Sequence, residues 1–478
     1  MQFNSIDFAI FLPIVFMGYW FVTHKNLKLQ NFLIVVSSYV FYGWWDWRFL
    51  SLILFSTLVD YLVGVMLAKE ENATKRKAYL WTSILVNLGF LAFFKYYNFF
   101  IENFTTAFSF FGNEIQPNSL NIILPVGISF YTFQTLSYSI DVYKRKLEPT
   151  KDFMAFAAFV SFFPQLVAGP IERATNLLPQ FYKKRTFDYS KAVDGLRQIL
   201  WGLFKKVVIA DTCAESANAI FNNSDDYSGS TLVLGALYFT FQIYGDFSGY
   251  SDIAIGTSRL FGFDLKRNFA FPYFSRDIAE FWRRWHISLS TWFRDYLYIP
   301  LGGSRGSTWM NIRNIFIIFI VSGFWHGANW TFIVWGGLNA LYFLPLLVFN
   351  KNRQHLDSVA KGKNSPTFKE FFQILTTFGF TVFAWIFFRA ENIEHAYRYI
   401  SGIFSTSLIS MPGFKNYTIL FLLLMFILIE WVGREQEYAL EKLGLSWNKL
   451  LRWIFYYVLA MLILLFIGQE QQFIYFQF

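Results

Sequence analysis

The sequence predicts an all-α, polytopic integral membrane protein with about 11–12 transmembrane helices. Of its 478 residues, 55% are hydrophobic, 22% are aromatic and only 15% are charged, whereas a soluble domain carries about 25% charged residues. The apolar runs are also long enough, at roughly 17–25 residues, to cross the hydrocarbon core of a bilayer. We therefore expect most of the chain to lie in lipid.

The expected spans follow one another along the whole chain. They lie near 8–23, 31–46, 48–68, 79–100, 120–142, 193–211, 230–256, 314–330, 331–349, 371–388, 416–433 and 452–468. The run 193–211 is the weakest because it carries Arg197, Lys205 and Lys206. The stretch SFFPQLVAGP (161–170) contains Pro and Gly, which predicts a short or re-entrant element, since broken helices survive at membrane depth only inside protein or at a cavity.

The basic residues predict the orientation of the chain. Clusters at 24–28, 75–77, 144–146 and 351–369 are separated by even numbers of expected spans. They can share one face, which the positive-inside rule makes cytoplasmic. The terminal stretches MQFNSID and QEQQFIYFQF carry no Lys or Arg and are expected on the opposite face. Only 350–370 is a long hydrophilic linker, which predicts a single membrane-embedded domain over residues 1–478.

The stretch 263–313 is not a span, because it holds eight basic and four acidic residues. Within it, RDIAEFWRRWHISLSTWFRDYLYI places aromatic and aliphatic residues at helical spacing, which predicts one amphipathic helix along a membrane or a protein groove. On one interpretation, its arginines contact lipid phosphates. On the other, Arg283 and Arg284 form a basic mouth that attracts an anionic acyl carrier. The net charge of +9 favours such anionic partners, and no nucleic-acid-binding motif is present.

His326 is the first candidate catalytic residue. It lies in SGFWHGANW (322–330), between two apolar runs, and a titratable group at membrane depth is a functional-site hypothesis by default. A neutral imidazole is the commonest general base, although a core hydrogen bond is the structural alternative. His286 lies beside the apolar face of the amphipathic helix and is open to the same two interpretations.

The other histidines and the cysteine predict no further chemistry. His24, His355 and His395 are expected at the surface. No histidine pair has the spacing of a zinc helix, so no metal is expected. The only cysteine, Cys213, excludes an internal disulfide and a cysteine-based metal site.

The stretch QIYGDFSGYSDIAIG (242–256) places acids inside an apolar run. Asp246 and Asp252 flank Tyr250, and intramembrane acids usually face a cavity and find a partner. The arginines of 267–284 are the expected partners. A Ser-His-Asp triad that uses Ser248 or Ser251 is an alternative, but nothing in the sequence fixes its spacing.

Several long motifs occur in the same order as in a known family. They are PVGISFYTFQTLSYSIDVY (125–143), FFPQLVAGPIER (162–173), YGDFSGYSDIAIG (244–256), FWRRWHISLSTWFRDYLYIPLGGSR (281–305), SGFWHGANWTFIVWG (322–336), FAWIFFRAE (383–391) and FIYFQF (473–478). By these motifs the chain resembles the membrane-bound O-acyltransferase superfamily, in particular its alginate O-acetyltransferase type of polysaccharide acetylation protein.

The resemblance implies a fold and a reaction. The fold is a ring of membrane helices around a central funnel. Trp325-His326-Gly327 matches the Trp-His-Gly context of the essential histidine of the family, and His286 matches its second polar position. The implied enzyme moves an acyl group, most simply acetyl, from a cytoplasmic thioester such as acetyl-coenzyme A, with no permanently bound cofactor. The acceptor is an exported polysaccharide or a group on a periplasmic partner, and the enzyme lies in the inner membrane.

On this hypothesis His326 is the general base, and the remaining site residues bind substrate. These are Trp325, Asn329, Arg283, Arg284, Asp246 and Tyr250. The alternatives are D-alanyl transfer to teichoic acid from a carrier-protein thioester, a lipid or sugar flippase, and a scaffold for polymer export. A flippase would carry internal repeats or a charged pathway, and neither is visible. The sequence names no acceptor sugar.

Overall fold

The computed structural model describes residues 1–110, 119–414, 416–468 and 471–474, and within them every regular element is helical. The all-α polytopic prediction is confirmed. Over these residues six segments are long and apolar enough to cross a membrane. They are Leu27–Lys69, Ala73–Phe110, Thr308–His326, Trp330–Val348, Phe368–Arg389 and Lys449–Phe466. Two shorter apolar helical segments are Ile6–Val22 and Tyr417–Gly433.

The chain forms two compact units, and α1–α9 belong to the first. This unit comprises Met1–Ala192 and Ser258–Leu265. Its helices are α1 (Ile6–Met17), α2 (Leu27–Asp46), α3 (Leu50–Lys69), α4 (Ala73–Leu91), α5 (Tyr97–Phe110), α6 (Ile128–Tyr143), α7 (Phe153–Ser161), α8 (Phe163–Leu166) and α9 (Ala174–Leu177). The segment 161–170, expected to be short or re-entrant, contains the four-residue helix α8 and is buried throughout.

A buried acid joins three helices of the first unit. Asp60 on α3 is fully buried. Its carboxylate accepts hydrogen bonds from Ser139 on α6 at 2.7 Å and from Asn87 on α4 at 2.8 Å. A buried charge is costly unless it is hydrogen-bonded, so these hydroxyl and amide donors allow an acid within the helical core.

The second unit comprises Val193–Thr257 and Lys266–Phe478. Most of α10 (Tyr189–Leu203) belongs to it, followed by a π-helical segment Phe204–Ala210. The later helices are α11 (Asp211–Asn222), α12 (Gly229–Leu260), α13 (Ile278–Arg284), α14 (Ile287–Phe293), α15 (Thr308–His326), α16 (Trp330–Val348), α17 (Phe368–Arg389), α18 (Ile393–Ile403), α19 (Tyr417–Gly433) and α20 (Lys449–Phe466). The single-domain prediction stays a prediction.

Glycines bring α15 and α16 close together. A Cβ atom at Gly323 would collide with the backbone of Phe332, and one at Gly336 would collide with the backbone of Phe319. Gly327, directly after α15, faces the Phe332 ring at a distance that leaves no space for a side chain. Only glycine allows backbones to approach this closely, and this tight pairing holds His326 at the end of α15.

The prediction of one continuous amphipathic helix over 276–299 is wrong. α13 ends at Arg284, Trp285 is extended, and His286 has a left-handed backbone (φ 44°) before α14 begins. The segment before α13 takes up a backbone donor that a continuous helix would use itself, because Ile287 N–H donates to Asn268 O at 2.9 Å. The aromatic spacing correctly predicted that this stretch is helical, but it gave no sign of the break that divides it into α13 and α14.

Candidate active site

The two candidate catalytic histidines share a neighbour, Trp325. The His326 side chain is buried, and its ring centroid lies 4.9 Å from that of Trp325. The His286 ring centroid lies 6.1 Å from the same indole. The structure therefore brings together His286, Trp325 and His326, which the sequence separates by up to 40 positions.

Aromatic rings surround both histidines. His326 packs edge-on against Trp335 at 5.2 Å and Phe388 at 5.3 Å between centroids. His286 packs edge-on against Phe247 at 4.6 Å. A wall of this kind excludes water, and electrostatic interactions in a dry site are stronger than in solvent.

Asn268 orients His286 and was missed by the sequence analysis. Its Oδ1 atom accepts hydrogen bonds from Ser288 N–H at 3.2 Å and Ser288 Oγ at 2.9 Å, and it lies 3.1 Å from His286 Nδ1. The backbone donor of Ser288 fixes which end of the amide is the oxygen. An oxygen can only accept, so Nδ1 of His286 carries the proton and the lone pair lies on Nε2.

Burial keeps His286 neutral. Its side chain is 1% exposed, and desolvation lowers the pKa of His286 to about 3, because burial disfavours the imidazolium. The ring is therefore neutral near pH 7, and its Nε2 atom is a hydrogen-bond acceptor. Asn268 lies in KRNFAF (266–271), where only the two basic residues had drawn attention in the sequence.

The buried acids of α12 find lysine partners, which corrects the expectation of arginine partners from 267–284. Asp246 lies 2.8 Å from Lys206 Nζ, and Asp252 lies 2.6 Å from Lys205 Nζ. Both lysines come from the π-helical segment after α10. A Cβ atom at Gly249 would meet Gly202 O and Lys206 N, so this glycine lets α12 approach that segment closely. Asp246 and Asp252, the acids available to the alternative triad, are therefore each paired with a lysine.

A short segment near the C-terminal end lies against Asp246 and Tyr250. Ile474 N–H donates to Asp246 Oδ2 at 2.6 Å, and the ring of Phe473 lies 4.9 Å from that of Tyr250. Phe473 also contacts Phe247, at 6.4 Å, which itself packs on His286. Of the motif 473–478, only 473 and 474 belong to the described residues. Tyr250 is thus connected to His286 through two rings, those of Phe473 and Phe247.

Arg283 and Arg284 bind groups of the chain itself. Arg283 donates to the carbonyls of Asn352 at 2.8 Å and His355 at 2.9 Å. Arg284 pairs with Glu280 at 2.8 Å and donates to Asp357 O at 3.0 Å. Both guanidinium groups therefore hold the loop after α16, and donor recruitment by them stays a prediction.

Asn329 and His395 have structural contacts. Asn329 Oδ1 accepts from Thr331 N–H at 3.0 Å and caps α16, while its Nδ2 donates to Glu391 O at 2.7 Å. The expectation that His395 lies at the surface is wrong, because its side chain is 7% exposed and Nδ1 accepts from Glu391 N–H at 3.4 Å. It lies in the first turn of α18, whose apolar face turns it inward. His24 is exposed, as expected.

The chain is similar to known membrane acyltransferases. A model of the membrane-bound O-acyltransferase family (MBOAT) matches residues 39–383. The probable alginate O-acetylase AlgI of Pseudomonas aeruginosa is 42% identical, over 85% of this chain and 75% of that protein. The peptidoglycan O-acetyltransferase of Helicobacter pylori is 36% identical over 86% and 81%. A teichoic acid D-alanyltransferase of Bacillus subtilis is 28% identical over 58% and 71%.

Proposed function

The chain belongs to the membrane-bound O-acyltransferase family, and from that premise we propose that it acetylates an exported polysaccharide, or a periplasmic partner that passes the acetyl group on. The protein is a multi-pass membrane O-acyltransferase. The finer proposal places it in the inner membrane, with acetyl-coenzyme A on the cytoplasmic side as the acyl donor. It draws on the relatives named O-acetylases, which match more of this chain, at higher identity, than the D-alanyltransferase does.

The observation that supports the proposal is that the rings of His286 and His326 both contact Trp325. In the proposed step, His326 takes the proton from an acceptor hydroxyl, and the oxygen attacks the thioester carbonyl carbon. The C–S bond then breaks, and the proton passes to the leaving thiolate. An O-acyl ester and free coenzyme A are the products, so the step is balanced without another reactant.

His286 is proposed as the second polar group of the site. Asn268 holds its Nδ1–H, which directs the Nε2 lone pair away from that amide. A neutral imidazole at this place can hydrogen-bond the acceptor hydroxyl and align it for attack. Burial by aromatic rings protects the thioester from hydrolysis, because water is kept from the reacting carbonyl.

Sided proteoliposomes test the proposal. Radiolabelled acetyl-coenzyme A is supplied on the face that carries the loop 350–370, and polysaccharide is supplied on the other face. We expect label in the polymer for the wild type and at least ~10²-fold less for His326→Gln. His395→Gln is the matched control, since it replaces another buried histidine of the same unit and is expected to keep activity. Transfer from D-alanyl carrier protein but not from acetyl-coenzyme A would contradict the proposed donor.

A further inference from the structure

A cavity in the first unit has one aromatic part and one basic part. It measures about 420 Å³ and lies between the end of the helical segment Ile6–Val22 and the loop 184–187. Phe16, Trp20 and Phe187 line its apolar part, and His24, Lys184 and Arg185 line its basic part. None of these residues belongs to the candidate active site.

Ring contacts and a hydrogen bond hold the aromatic part in place. The Phe187 ring packs edge-on against Phe16 at 6.0 Å and against Trp20 at 5.5 Å between centroids. The Trp20 indole N–H is fixed by a hydrogen bond of 2.9 Å to Leu260 O. Ring edges and faces held in this way present a preformed apolar surface, which suits a hydrocarbon chain and costs little ordering on binding.

The basic part contains a buried cation, Arg185. Arg185 is 6% exposed, and its guanidinium donates to Asn31 Oδ1 at 2.7 Å and lies over the Phe263 ring at 4.8 Å. Its Nε–H has no hydrogen-bond partner among the residues that the structure describes. That atom is enclosed by the protein, so Arg185 favours an anion in the cavity through its positive charge and not through a hydrogen bond from Nε. Lys184 and His24 are exposed at the same cavity.

The surface beside the cavity is apolar and exposed. On the segment Ile6–Val22, the side chains of Ile10, Ile14 and Phe21 are 58%, 66% and 66% exposed. Phe21 also lines the cavity. In a multi-pass membrane protein such an apolar face meets lipid hydrocarbon. The cavity is continuous with that face, and its basic part lies where the chain changes from apolar to Lys-rich, as at a membrane interface.

We propose that this cavity binds one anionic phospholipid. The phosphate would lie against Lys184 and His24, near the positive charge of Arg185, and one acyl chain would lie against Phe16, Trp20 and Phe187. A phosphate fits this place because guanidinium and ammonium donors both recognise its oxygens. The lipid site would stand even if the proposed acetyl transfer failed, since it involves different residues.

Native mass spectrometry of the full chain tests the lipid site. Protein released from micelles with equal amounts of phosphatidylglycerol and phosphatidylcholine should retain one phosphatidylglycerol molecule preferentially. Lys184→Gln should lower that retention about fivefold, because one basic residue near the surface contributes that much to anionic-lipid binding. Lys77→Gln removes an exposed lysine of the same unit away from the cavity and should change nothing.

A second pair of variants tests the apolar part. Thr186 lines the cavity, and Thr186→Trp should fill it and reduce retention of the lipid. Ser190→Trp, at an exposed position four residues later, is the control. Arg185 is left unchanged because it also holds Asn31, and thermal unfolding verifies that each variant is folded.

Three outcomes would overturn the lipid assignment. Equal retention of phosphatidylcholine would remove the role of the anionic headgroup. If Lys184→Gln and Lys77→Gln lowered phosphatidylglycerol retention equally, the lipid would be bound by overall charge alone. Displacement of the retained lipid by added coenzyme A would assign the cavity to the phosphates of a soluble nucleotide.

Discussion

The ring centroids of His286 and Trp325 lie 6.1 Å apart, and this contact links the break between α13 and α14 to the end of α15. Trp325 directly precedes His326, and its indole contacts both histidines. The left-handed backbone of His286 costs about 1–3 kcal/mol for a residue other than glycine. Such strain persists only where the surrounding contacts hold it, and here Asn268 and Phe247 provide them.

The first prediction concerns His326. We expect His326→Gln and His326→Ala to lose at least ~10²-fold in acyl transfer, because a general base contributes about that much. Both variants should still insert, since removing a titratable group from an apolar span lowers the cost of burial. The measurement is acetyl content of polymer per inserted protein. Near-normal rates with Gln would make His326 a structural hydrogen-bonder.

The second prediction concerns the pH dependence of stability at His286. Its folded pKa of about 3 lies below the unfolded value of about 6.5. Below about pH 6.5, His286 binds a proton in the unfolded chain but not in the native chain. This stability contribution is therefore complete above about pH 6.5 and falls by up to about 1.4 kcal/mol per pH unit as the pH drops towards 3.

His286→Gln should remove this part of the pH dependence. Thermal unfolding of both proteins in detergent at pH 7 and pH 5 gives the comparison, because all other titrating groups are common to the two. Identical losses of stability on acidification would mean that His286 is not buried as a neutral ring. The same variant tests the chemistry: a folded but inactive protein indicates a second catalytic role, whereas partial activity with lower stability indicates a core role.

The third prediction concerns Lys206, which lies 2.7 Å from Asp211 and 2.8 Å from Asp246. Lys206→Met should destabilise the protein by about 3–5 kcal/mol, since it leaves buried charge without compensation. Asp246→Asn should cost less, because Lys206 keeps Asp211. The exposed pair Arg398–Asp225 supplies the control, Asp225→Asn, expected within about 1 kcal/mol. Equal unfolding free energies for all three variants would show that the buried lysine is uncharged.

Much of the fold follows from apolar run length. The runs 314–330 and 331–349 correspond to α15 and α16, and 371–388 corresponds to α17, because length and composition alone decide whether a helix can lie in lipid. The break at Trp285 and His286 could not be predicted in this way. It depends on backbone bonds from residues 268–270, which lie beyond the range of any local periodicity.

The candidate site was predictable only in part. His326 and Trp325 stand out as polar and aromatic residues beside glycines in an apolar run. Asn268 does not, because an amide in a basic loop has no local signal, and its role arises from contact with His286. The lysine partners of Asp246 and Asp252 were missed for a related reason. In the sequence, Lys205 and Lys206 only weakened the prediction of a span over 193–211. In the structure, they neutralise the two acids of α12.

The fourth prediction concerns Arg283 and Arg284. If the positive charge of this pair attracts the donor, replacing both with Gln should raise the KM for the thioester more than it lowers kcat, the pattern of lost uniform binding. The variant should also lower the unfolding temperature, because Arg283 holds the carbonyls of Asn352 and His355. Arg294→Gln, on an exposed arginine of the same stretch, is the control. An unchanged KM in inserted protein would restrict the pair to its structural contacts.

The last prediction concerns orientation. The basic clusters place Lys77, Arg145 and Lys363 on the cytoplasmic face, and Asp7 on the other face, by the positive-inside rule. All four side chains are exposed, so each can be replaced by Cys after Cys213, which is buried, is changed to Ser. An impermeant maleimide added to intact cells should label only the cysteine at position 7, and all four should react after the membrane is opened. Rapid labelling at position 77 in intact cells would reverse the topology, and with it the face from which the donor enters.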